Sequence, residues 1–207
     1  MVLFIAILAM GGIPGLGRYE YPVRVAVLAG AIWLVSRPVL DLRMPHWAGS
    51  VALGLAVFVV WVGPDVLWPG YREHWLFQNS LTGKVSSSLP EEFRSDPMVL
   101  LFRAIRAAII VPIVEELFWR GWLMRWLINN DFQKVPLGAY RSDSFWITAA
   151  LFAVEHGPYW EVGLLAGVAY NWWMVRTKSL GDCILAHAVT NAVLSAYTVY
   201  GAHWHYW

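Results

Sequence analysis

The chain has 207 residues, 58% of them hydrophobic and 14% charged, with a mean hydropathy of +0.51. Soluble domains carry about 25% charged residues, so this composition excludes an ordinary soluble domain, and it excludes disorder, which needs the opposite balance. Lys and Arg number 15 against 14 Asp and Glu, which leaves no electrostatic case for nucleic acid. Cys183 is the single cysteine, so it has no partner for an internal disulfide or a CxxC metal site. The 14 Trp and 9 Tyr suit rings held at lipid headgroup level. The composition describes an integral membrane protein.

A span needs about 20 mostly apolar residues, and about seven segments (six to eight) approach that length, giving an all-α polytopic transmembrane bundle. Residues 1–17 carry no charge, and without a basic n-region they read as a retained helix rather than a signal peptide. Residues 22–36 form a shorter candidate interrupted by Arg24, and 47–63 a cleaner one. Residues 64–97 then change character, with Pro64, Pro69, Gly70, Ser86 to Ser88, Pro90 and Pro97 among scattered charges. They predict a loop outside the hydrocarbon with a short interfacial helix near 71–78. Further helices are expected at 98–127, 144–156, 161–175 and 183–200. Residues 1–207 therefore read as one membrane domain, with N-terminal helices over 1–63, the loop, and a core over 98–204.

Loop charges suggest the orientation. Arg37, Asp41 and Arg43 fall in one loop, Arg125, Asp131, Lys134, Arg141 and Asp143 in or beside a second, and Arg176, Lys178 and Asp182 in a third. The crossings put all three on one side, each with a small positive excess. Asp65, Glu73, Glu91, Glu92 and Asp96 outweigh Arg72, Lys84 and Arg94 on the other. The positive-inside rule then places the N-terminus in the cytoplasm and the C-terminus outside.

Charges at membrane depth cost roughly 2.5–3.5 kcal/mol each on insertion scales, so those that persist mark function or a partner. In VPIVEELFWRGWLMRWL, Glu116 and Arg120 lie four apart and pair along one face. Glu115 lies about 100° round the helix with Trp119 at i+4, which leaves a desolvated carboxylate suited to proton transfer. His156 ends a second apolar run, and His187 and Asn191 lie one turn apart on a third. Lipid satisfies none of these groups, so they are expected to meet inside the bundle.

Several chemistries fit this set. Glu115, His156 and His187 resemble a His₂Glu zinc set, although Phe152 stands where an HExxH motif needs histidine. Cys183, four residues before His187, lacks a third group to orient it as a nucleophile. A water held between Glu115 and His156, with His187 and Asn191 donating to the developing oxyanion, gives an amide-hydrolysing site. The rival classes are a non-enzymatic scaffold or immunity-type membrane protein, and a proton-coupled transporter, which the absence of an internal repeat disfavours.

Among the remaining residues, Arg103 and Arg106 are expected to snorkel outward or pair with Glu91, Glu92 or Asp96. Glu155 is expected on the far side of its helix, near headgroups. Asn171 reads as interhelical glue, Gly163, Ala166 and Gly167 as close-packing surfaces, and Trp119, Trp122 and Trp126 as lipid or core contacts. Crossing arithmetic puts Glu115 near mid-membrane, with His156 and His187 toward opposite ends of their helices. Convergence therefore requires tilted or longer helices, or a break at Gly157-Pro158.

Glu115-Glu116-x-x-x-Arg120, Phe152-x-x-x-His156 and His187-x-x-x-Asn191 together resemble the three motifs of the CAAX protease and bacteriocin-processing (CPBP, or Abi) family of intramembrane proteases. The resemblance spans about 98–204. It implies that Glu115 and His156 activate water, that His187 and Asn191 bind or polarise the scissile carbonyl, and that Glu116 and Arg120 support them. It also implies a glutamate endopeptidase that needs no metal, zinc being the lesser alternative, acting on a membrane-associated protein or peptide. The DFQKVPLGAY and RTKSLGDCILAHAVTNAVL stretches resemble a bacterial subgroup of CAAX prenyl protease-related proteins associated with exosortase sorting systems, which implies residence in the bacterial inner membrane. Bacteria do not generally make farnesylated CaaX proteins, so the subgroup's name is no substrate assignment.

Overall fold

The computed structural model describes residues 15–207, so most of the helix expected at 1–17 lies outside the described residues. Among the described residues there are six long helical segments: α1 (Gly17–Val39), α2 (Trp47–Leu67), α3 (Pro97–Trp126), α4 (Ser142–Glu155), α5 (Trp160–Thr177) and α6 (Leu180–Gly201). Four of them, α1, α2, α3 and α6, are long and apolar enough to cross a membrane. The fold is all-α, and α1 turns Trp33, Leu34 and Val35 outward, as lipid-facing helices do.

Local chemistry sets the helix ends. Pro97 opens α3, and the Asp96 carboxylate accepts from Met98 N at 2.9 Å and Val99 N at 3.4 Å, an N-cap of the usual kind. Ser179 Oγ accepts from Asp182 N at 3.2 Å at the start of α6. Gly157, at φ +52°, follows α4 and is itself followed by Pro158. Its missing Cβ leaves room for the Thr82 carbonyl. The helix therefore stops at Glu155.

α3 is not one regular helix. Arg106–Ile110 and Leu117–Leu123 are π-helical, on either side of the Val111–Glu116 segment that carries both glutamates. Such segments widen the turn by one residue and recur at functional sites.

α6 runs through the middle, against α2, α3 and α5, while α4 and α5 pack as a hairpin. Small residues sit where backbones meet: Gly54 of α2 faces Val189 and the Ala186 carbonyl, and Gly49 faces the Trp173 ring. Thr190 Oγ1 crosses the first of these seams to donate to Gly54 O at 2.8 Å. Such close approaches suit helices in lipid, where packing rather than the hydrophobic effect joins them.

The three positive loops do share one end of the bundle. There Ser179 Oγ donates to Arg43 O at 3.2 Å, and Arg125 Nε donates to Val135 O at 2.7 Å. The buried Asp182 accepts from Ser50 Oγ at 3.1 Å, with His46 Nδ1 at 3.0 Å. The loop between α2 and α3 covers the opposite end. In place of the expected helix near 71–78 it forms a short 3₁₀ turn, Tyr71–Glu73, because the chain is tied down by its side chains. The buried Arg72 pairs with Asp65 at 2.9 Å and Glu161 at 2.8 Å, donates to Pro158 O at 2.8 Å and lies 4.1 Å over the Tyr159 ring.

Candidate active site

The site grows from one buried ion pair. Arg120 Nη1 donates to Glu116 Oε1 at 2.9 Å, and both side chains are completely buried. The expected pairing is present, and the sequence did not reveal its surroundings. Arg120 Nε donates to Asn171 Oδ1 at 2.9 Å and Nη2 to Gly167 O at 3.3 Å, with the guanidinium over the Phe152 ring. Asn171 Nδ2 in turn donates to Phe145 O at 2.8 Å. Asn171 is thus interhelical glue that also satisfies the arginine, as a buried charge demands.

The other face of the pair meets the third motif. His187 Nδ1 lies 2.9 Å from Glu116 Oε1. A carboxylate accepts, so the proton sits on Nδ1 and Nε2 is turned away from Glu116. Tyr170 stacks on the His187 ring at 5.1 Å and is itself fixed by donating to Thr190 Oγ1 at 2.7 Å.

His156 follows α4 immediately. Its Nδ1 lies 2.7 Å from the Phe152 carbonyl one turn back. A carbonyl can only accept, so Nδ1 carries the proton and Nε2 keeps a lone pair. Trp61 meets the ring edge-to-face at 5.1 Å. A Cβ on Gly163 would come within 3.2–3.3 Å of His156, so the small residue expected for packing here leaves room for the imidazole.

A cavity of about 190 Å³ is lined by Glu115, His156, His187 and Asn191 together. The structure thus brings all four candidates from α3, the α4 terminus and α6 to one space. The chain breaks at Gly157-Pro158, one of the arrangements that crossing arithmetic required. Glu115 Oε2 is buried without a hydrogen-bond partner. Asn191 Nδ2 donates to Ala107 O at 2.9 Å, a carbonyl within the first π-helical segment. One amide hydrogen is thereby used, and the second remains for another acceptor.

Two expectations are corrected. Glu155 does not reach headgroups: its Oε2 is buried, and the carboxyl meets the Trp119 indole and lies close enough to Glu115 to influence it. The end of α4 turns this residue inward. Arg103 neither snorkels nor pairs with Glu91, Glu92 or Asp96. It is 8% exposed, donates to Ser88 Oγ at 2.5 Å and lies 5.3 Å over the Trp207 ring. Asp96 is engaged in capping α3 and in a 3.5 Å pair with Arg18. Trp119 is core, whereas Trp126 is 39% exposed.

Sequence reasoning missed Trp61, Tyr170, Thr190, Tyr206 and Trp207, all of which line the cavity. The last two belong to the segment after α6, which folds back over the mouth. Tyr206 donates to Asp65 Oδ2 at 2.7 Å, and Ser88 N donates to Trp207 O at 2.7 Å. Burial first, and the neighbouring Asp65 carboxylate second, push the Tyr206 phenol well above its ordinary pKa, so it stays a donor across the physiological range. Among the described residues, no three His, Cys, Asp or Glu gather closely enough to hold a metal ion.

A polar cavity thus lies among apolar helices, with a carboxylate, two fixed imidazoles and an amide on its walls. Residues 97–193 match the family model of type II CAAX prenyl endopeptidase Rce1-like proteins, a likeness that takes in all three motifs. No curated protein and no solved structure matches the chain.

Proposed function

We propose that the chain is an intramembrane endopeptidase that hydrolyses a peptide bond of a membrane-associated protein or peptide. The observation that carries this reading is the shared cavity, in which Glu115, His156, His187 and Asn191 face one another. Glu115 Oε2 has no partner to displace, so it is free to take a proton from water. The lone pair on His156 Nε2 orients the same water by accepting its second hydrogen. Attack on the scissile carbonyl then builds negative charge on its oxygen. Asn191 Nδ2 donates to that oxygen, while His187, fixed through Nδ1 by Glu116, lines the cavity beside it. Proton return from Glu115 to the departing amine completes the cycle. Arg120 and Asn171 hold Glu116 in place and touch no reacting atom.

We further propose that residues 1–207 form one domain of about seven spans with a catalytic core over 98–204. The N-terminus is inside and the C-terminus outside a bacterial inner membrane, and the reaction runs without a metal. A substrate within an exosortase sorting system accords with the resemblance of the third-motif region.

The test compares new peptide termini in membranes of host cells making the intact protein with those making Glu115→Ala at matched abundance. Termini that depend on Glu115 are the expected result. Indistinguishable sets would remove the hydrolytic reading and favour a scaffold.

A further inference from the structure

A second concavity opens to the lipid side of the bundle, between α3 and α6, with a volume of about 420 Å³. Its walls are apolar and built largely from small residues. Ala104 and Ala108 on α3 face Ala192 and Ala196 on α6, with Leu101 and Tyr200 at the rim. Small residues four apart on a membrane helix allow another helix backbone to approach closely. Such a stripe alone identifies no ligand.

Ser195 supplies the independent observation. Its side chain is 4% exposed, it lines this groove, and its Oγ has no hydrogen-bond partner. Serines in membrane helices ordinarily bond their own i−4 carbonyl or a group on a neighbouring helix. An unsatisfied buried hydroxyl costs about 1–3 kcal/mol, so the position is incomplete as it stands. Ser195 also lines the cavity that holds Glu115 and His156. Ser195 is therefore the wall that the groove and the cavity share.

We propose that the groove seats a transmembrane helix of the substrate protein, with Ser195 as the contact that leads its backbone into the catalytic cavity. This deepens the endopeptidase reading and rests on it. A hydrocarbon chain, whether acyl or prenyl, would fill the apolar walls but offers Ser195 no acceptor. A peptide helix offers carbonyl oxygens, which are freed wherever it frays or unwinds. The alanine seam further suits a helix backbone, whereas a flexible chain has no need of it.

Two measurements separate this proposal from the one beneath it. First, new termini are compared among the intact protein, Glu115→Ala, Ala104→Trp, Ala196→Trp and Ser195→Ala, each checked for monodisperse behaviour in detergent. Glu115-dependent termini within or at the ends of host membrane spans are expected, reduced at least tenfold by either tryptophan. Loss of one hydrogen bond in Ser195→Ala is expected to reduce them about fivefold without lowering stability. Unchanged termini in both tryptophan variants would overturn the proposal, as would termini confined to lipid-modified tails outside any span.

Second, a benzophenone amino acid is placed at Leu101, on the rim, in the Glu115→Ala background. Adducts with peptides from host membrane spans, lost when Ala196→Trp is added, support docking, and adducts with lipid alone overturn it. Span adducts without Glu115-dependent termini would keep the docking site and remove the hydrolytic reading. Termini without span adducts would do the reverse.

Discussion

His187 Nδ1 and Arg120 Nη1 reach the same oxygen, Glu116 Oε1, each at 2.9 Å. One carboxylate thereby joins the buried arginine that braces α3 against α5 to the imidazole that faces the cavity from α6. The second glutamate of the pair is a structural keystone and a tautomer lock at once, whereas the first, Glu115, lines the cavity itself. Adjacent residues of the same type thus carry opposite consequences when changed.

Glu116→Gln leaves Arg120 as a buried charge without a counter-ion. Breaking such a pair from one side costs about 3–5 kcal/mol. Thermal unfolding in detergent is expected to show a large loss for Glu116→Gln and for Arg120→Met. The double variant should recover a substantial part of it, since no uncompensated charge remains. Additive losses would show that the two groups do not act as a pair.

Glu115→Gln breaks no hydrogen bond at Oε2, so the melting temperature should stay near that of the intact protein. Loss of the general base should lower the yield of dependent termini by about 10²–10⁴-fold. A variant that kept its cleavage would move the base elsewhere, with Glu155 the next carboxyl in the neighbourhood.

Asn191→Ala removes a donor to the oxyanion and the partner of the Ala107 carbonyl. Cleavage is expected to fall about 10²–10³-fold, as for other lost oxyanion donors. Stability should fall by about 1 kcal/mol, the worth of one hydrogen bond. Measuring both quantities on one preparation distinguishes a catalytic from a packing role.

Gly163→Ala places a methyl 3.2 Å from His156 Cβ and 3.3 Å from its ring atoms Cγ and Nδ1. The imidazole must shift by a few tenths of an ångström, and cleavage should fall on the order of tenfold, because small misplacements of reacting groups are costly. Gly30→Ala on α1, where an added Cβ meets nothing within 4 Å, serves as the comparison and should be neutral.

Extraction with a strong zinc chelator, followed by assay of dependent termini in isolated membranes, is expected to leave cleavage intact. Loss on chelation with recovery on added zinc would establish a metal at Glu115, His156 and His187 despite their separation here.

The motif residues were legible because membrane-embedded charges and imidazoles have few bland explanations, and because i, i+4 spacing survives in any helix. That they meet inside the bundle was legible, but the geometry by which they do so was not. It depends on the turn at Gly157–Tyr159 and on two π-helical segments in α3. Each such segment absorbs an extra residue and rotates the downstream side chains by roughly 100° relative to a regular wheel. The inward position of Glu155 was not legible either, since its contact with the Trp119 indole depends on how α4 packs against α3. Arg103 was misjudged for a different reason: its partner, Ser88, is an uncharged residue in a loop whose acids drew attention. Tyr206 and Trp207 carry no periodic signal, since they reach the cavity by a turn beyond α6.

The cavity that gathers the four polar groups lies among apolar helices. A peptide bond wound into a helix has its carbonyl already engaged by an amide one turn on. A scissile segment must therefore unwind to present that carbonyl, and in hydrocarbon each peptide group that leaves its helix needs a replacement partner. Cutting is then governed by how readily a sequence unravels as much as by which side chains flank the bond. Stretches weakened by glycine or proline, or lying within a turn of the membrane surface, become the vulnerable ones, and a firmly wound span passes untouched.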